Sequence, residues 1–66
     1  MDNLTRLAQN CRETKKLRNM ATKEGNTRMR EEYNGILSDW RYKLDLEIGN
    51  DSDKYAKASK ILRARG

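Results

Sequence analysis

Seven apolar residues at helical spacing, Met29, Tyr33, Ile36, Leu37, Trp40, Leu44 and Ile48, constrain this chain more than any other feature. Intervals of three and four return to one side of a helix that has about 3.6 residues per turn. A half-buried strand would alternate at two instead. The run from Thr27 to about Ile48 is therefore predicted as one long amphipathic helix, with Asn26 or Thr27 as its N-cap. The chain contains no proline, so no residue in this stretch is barred from helix by a missing N–H.

Two glycine–asparagine steps, Gly25-Asn26 and Gly49-Asn50, set off a segment on either side. Glycine readily takes the left-handed conformation in which many helices end. The first segment, about residues 2–23, carries Leu4, Leu7, Cys11, Thr14 and Ala21 on a heptad-like stripe, with Asp2 or Asn3 at its start. Arg18 takes the next position of that stripe, and Leu17 and Met20 lie off it. Either this helix meets neighbours on two faces or it breaks near residue 14. The last segment, about 52–64, can be capped by Asp51 or Ser52 and is apolar at Tyr55, Ala58, Ile61 and Leu62. Tyr42 and Leu46 form a minor second stripe on the central helix and share a face with Gly35. A glycine there costs about 1 kcal/mol against alanine, and close approach of another helix is the expected reason for it. The expected fold is all-α: an antiparallel helical hairpin with a short third helix packed across it, a small three-helix bundle in one domain of 66 residues. The regular periodicity sets aside a disordered chain, although 38% of the residues are charged.

A domain this small buries only about 60% of the surface its unfolded chain exposes. Its core rarely supplies more than roughly 3–5 kcal/mol without a staple. The one cysteine, Cys11, cannot form an intrachain disulfide, and without histidine it cannot complete a structural zinc site. Its place on the apolar stripe suits a small buried hydrophobe better than a redox sensor. Association is the remaining source of stability, so a homodimer is expected. No apolar run approaches the ~20 residues of a membrane span. The sequence Met1-Asp2-Asn3-Leu4-Thr5 lacks the basic and apolar regions of a signal peptide. Membrane partners are therefore not expected, and a cytoplasmic location is.

Catalysis is poorly served by this composition. Without histidine there is no Ser-His or Cys-His pair, and the four glycines are too dispersed for a phosphate-binding loop. Carboxylates such as Glu31, Glu32, Asp39, Asp45 and Glu47 remain, but a chain this short has little room for a pocket that would tune them. The acidic run Asn50-Asp51-Ser52-Asp53 does not begin a calcium loop, because the sixth and twelfth positions from Asp51 hold Ala56 and Leu62. No metal, cofactor or catalytic residue is assigned, and the sequence carries no motif that aligns with a known family.

A non-enzymatic regulator or inhibitor that binds a protein or nucleoprotein partner is the leading expectation. The formal net charge is +5, and it is unevenly placed: +3 over residues 1–25, −1 over 26–50 and +3 over 51–66. A near-neutral apolar helix thus lies between two basic ones. Trp40, Tyr42 and Leu46 are the candidate anchors, since large aromatic residues dominate interface energetics. Arg12, Lys15, Lys16, Lys23, Lys57, Lys60, Arg63 and Arg65 are the candidate contacts to an acidic or phosphate-bearing surface. The alternative is direct binding of DNA or RNA, with little sequence preference, through the same cations.

Overall fold

The computed structural model describes residues 2–63 and contains three helices: α1 (Asn3–Lys23), α2 (Thr27–Ile48) and α3 (Ser52–Arg63). Each begins at a side chain that accepts from its first turn. Asp2 Oδ1 accepts from the Thr5 N–H at 2.7 Å and Asn26 Oδ1 from the Met29 N–H at 3.1 Å. Asp51 Oδ1 accepts from the N–H groups of Asp53 and Lys54. The earlier residue of each expected pair does the capping, its short carboxyl or amide reaching back to N–H groups that have no partner within the helix.

The helix ends follow the glycines. Gly25 has φ of 75° and Gly49 of 55°. After α1, the Asn26 N–H donates to the Ala21 carbonyl and the Gly25 N–H to that of Thr22. This paired pattern reverses the chain within three residues, and only a residue without Cβ holds the left-handed step at no steric cost.

The short turn sends α2 back along α1. Asn3 donates to Glu47 Oε2 at 3.1 Å near one end, and Arg18 donates to Asn34 Oδ1 at 3.3 Å toward the other, so the two helices run antiparallel. The buried cluster is Leu4, Leu7, Ala8 and Cys11 of α1, Leu37 and Leu44 of α2, and Ala58 of α3, with Trp40, Ile48 and Ile61 packed on its rim. Ala8 and Ala58 are almost fully covered, which lets two helix backbones approach closely. Thr14 is buried too, and its hydroxyl is satisfied by donating to the Asn10 carbonyl at 2.7 Å.

α3 rests chiefly on α1 and barely touches α2. With 12 residues it is about 18 Å long against about 32 Å for α1. Its Lys57 Nζ sits 2.6 Å from Asp2 Oδ2, at the N-terminal end of α1. Among the described residues, the turn end of the hairpin is formed by α1 and α2.

Several expectations change as a result. α1 does not break near residue 14; it is continuous, and Leu17 and Met20 stay half exposed at 43% and 50%. No helix of this chain approaches Gly35: a Cβ placed there meets nothing within 4 Å. Tyr42 and Leu46 lie outside the buried cluster, with about two thirds of each surface exposed. On α3 only Ala58 is buried and Ile61 partly so, while Tyr55 and Leu62 remain exposed. The common cause is that α3, at 12 residues, is too short to cover the hairpin and rests chiefly on α1.

Candidate functional site

The outer side of α2 is the first candidate. Leu37 and Leu44 point inward. Tyr42 stands five residues from one and two from the other, which on a helix is nearly the opposite side. Gly35, Tyr42 and Leu46 follow at intervals of seven and four, so they form one line along that side. Trp40 is placed differently. It is half-buried against the core, and Lys43 Nζ lies 4.9 Å above its ring. It packs on the rim of the core and is only partly exposed.

A second apolar region lies at the turn end of the hairpin, beside Glu24 and Asn26. Leu17, Met20 and Ala21 of α1 and Met29 and Tyr33 of α2 line a small cleft of about 190 Å³, and Ile36 is 45% exposed on the same helix. This is where the long apolar stripe of α2 outruns its cover.

The cations fall into three settings. Lys15, Lys16 and Lys23 are exposed on α1, and Arg12 is partly covered. Lys60 and Arg63 border a broad surface cleft on α3 with Tyr55, Ala56 and Ser59. Lys57 is paired with Asp2 at the surface, both side chains about half exposed. That ammonium and the Thr5 N–H hold the Asp2 carboxyl far below the usual carboxylate range. Arg65 lies outside the described residues.

One polar cleft joins residues that the sequence left apart. Arg18, Asn19 and Thr22 of α1 meet Arg30 and Asn34 of α2 around a shallow space of about 270 Å³. Arg18 donates from one guanidinium to both Asn34 Oδ1 and Asn19 Oδ1. In the sequence Arg18 was only a polar interruption of an apolar stripe. The signal that could have found the cleft is a cation on that stripe facing Arg30 and Asn34, themselves four residues apart, but it needs the register between α1 and α2.

Cys11 is nearly inaccessible, and burial pushes its thiol up from the ordinary range, against the opposing pull of Arg41. Among the described residues no group of three or more His, Cys, Asp or Glu could hold a metal ion. No helix is long and apolar enough to cross a membrane. Comparison with family models, curated proteins and solved structures finds no match.

Proposed function

We propose that this chain is a small three-helix bundle acting as a non-enzymatic regulator or inhibitor, one that docks on a protein or nucleoprotein partner through the outer side of α2. The observation that carries this reading is the exposure of Tyr42 and Leu46, 67% and 66%, on the side of α2 opposite its buried leucines. Neither side chain belongs to the buried cluster or its rim, and an aromatic beside an aliphatic on a rigid helix is the pattern of an interface anchor. Gly35, two turns away on the same line, leaves room for a partner backbone. The cations of α1 and α3 flank this near-neutral helix and steer an acidic partner toward it.

The test compares proteins recovered from a native extract by the wild-type chain and by Tyr42→Ala/Leu46→Ala. Both baits are first checked for equal helix content by circular dichroism. The reading expects at least one stoichiometric companion that the variant loses. The same companions on both baits would overturn it. A second copy of the chain as the companion, seen by sedimentation equilibrium, would make the face a homodimer interface instead.

A further inference from the structure

We propose that the cleft between α1 and α2 beyond the end of α3, centred on Arg18 and Arg30, seats a phosphate of a nucleic-acid backbone. The proposal does not depend on the docking face of α2, from which these residues are separate.

The space exists because α3 stops short. In the lower half of the hairpin, Ala8 and Cys11 are sealed by Ala58 and its neighbours. Toward the turn no third helix covers the pair among the described residues, and a groove there is lined by two arginines, two asparagines and a threonine. None of the five is a carboxylate, so the positive charge is not cancelled from within the cleft.

The two guanidiniums are in different states of readiness. Arg18 is held by two amide oxygens, at 3.3 and 3.4 Å, which orient its planar fork and leave further N–H donors unspent. The Arg30 side chain makes no hydrogen bond or ion pair among the described residues. Its backbone N–H is used in the first turn of α2, whereas its side chain is at liberty to swing onto an anion. Two like charges at one cleft repel each other when it is empty. An anion between them converts that repulsion into charge-assisted hydrogen bonds, the bidentate kind for which arginine is suited.

The surroundings favour a polymer over a small phosphorylated ligand. The cleft is shallow and open, whereas small ligands are usually enclosed on most of their surface. Asn19 belongs both to the cleft and to a face of α1 that carries Arg12, Lys15, Lys16 and Lys23. The sole carboxylate within α1, Glu13, stands at the edge of that face. From residue 12 to residue 23 the helix rises about 16 Å. Each strand of a duplex places a charge about every 3.4 Å along its axis, so this face is long enough for several phosphates in succession. The cleft would fix one of them, and the lysines would follow the rest without reading sequence.

The experiment is fluorescence anisotropy of a labelled DNA duplex and a labelled single-stranded RNA against the full chain over a salt series. The variant is Arg18→Gln/Arg30→Gln, with Arg28→Gln as an exposed arginine outside the cleft. The wild type is expected to bind at least one nucleic acid, weakening steeply with salt. The double variant should flatten the log–log salt slope by about 1 to 2, and Arg28→Gln by clearly less. Circular dichroism must show the double variant still helical; if it is not, the single Arg30→Gln, whose side chain bonds nothing, serves with an expected flattening of about 1. No binding at low salt, or equal slopes for the cleft variant and Arg28→Gln, would overturn the proposal. A labelled polyglutamate that binds as tightly, with the same dependence on Arg18 and Arg30, would overturn it too and assign the cleft to acidic protein.

Discussion

Replacing Gly35 by alanine separates the monomer described above from a molecule whose α2 is packed on both sides. Gly35 lies nine residues into α2, its φ is not positive, and the space where a Cβ would project holds no atom within 4 Å. The methyl therefore meets no steric cost and gains no burial. What remains is helix propensity, about 0.8–1 kcal/mol in favour of alanine. For a domain of this size 1 kcal/mol moves the melting midpoint by roughly 4–8 °C, so Gly35→Ala is expected to melt about 3–8 °C higher. The assay is thermal unfolding followed by far-UV circular dichroism, repeated at two protein concentrations well apart. A lower midpoint, or one whose concentration dependence disappears in the variant, would refute the reasoning. It would mean that a second helix, from another copy, lies close against Gly35 in solution.

Three further outcomes follow from the same packing. Leu37→Ala removes a buried side chain at the centre of the hairpin and should cost about 2–5 kcal/mol, enough to unfold much of a domain this small, whereas Leu46→Ala should stay within about 0.5 kcal/mol; equal losses in urea titrations would show that Leu46 is also core. The Asp2 carboxyl is depressed in the fold, so its contribution is present above the ordinary aspartate pKa and lost as pH falls below it. Asp2→Asn keeps the cap but not the charge, and its midpoint should decline less than that of the wild type on acidification; parallel curves would count against the Lys57 clamp. The raised Cys11 thiol keeps its proton in the fold where the unfolded chain has lost it, so stability should fall as pH rises above the ordinary thiol pKa. Alkylation of Cys11 should be slow in native buffer and speed up in step with urea unfolding; rapid labelling of the folded chain would contradict its burial.

That the chain forms three helices was legible from the sequence alone; the expected end of the last one, at about residue 64, lies outside the described residues. Asp2, Asn26 and Asp51 cap, and Gly25 and Gly49 terminate, because these effects depend on residues within one turn. The inward stripe of α1 was legible for the same reason, since helical period fixes which residues share a face. What a face meets is a different question. Period alone made Gly35 look like a contact and Tyr55 look like core, yet both depend on how far α3 reaches and along which helix it lies. Lys57 read as one basic residue among eight until the fold set it on Asp2, 55 positions away. Arg18 read as a flaw in a stripe until the antiparallel register brought Asn34 and Arg30 opposite it. Local hydrogen bonding and periodicity belong to the chain and can be read along it. Register, coverage and the meeting of distant charges arise only when helices of unequal length are laid side by side.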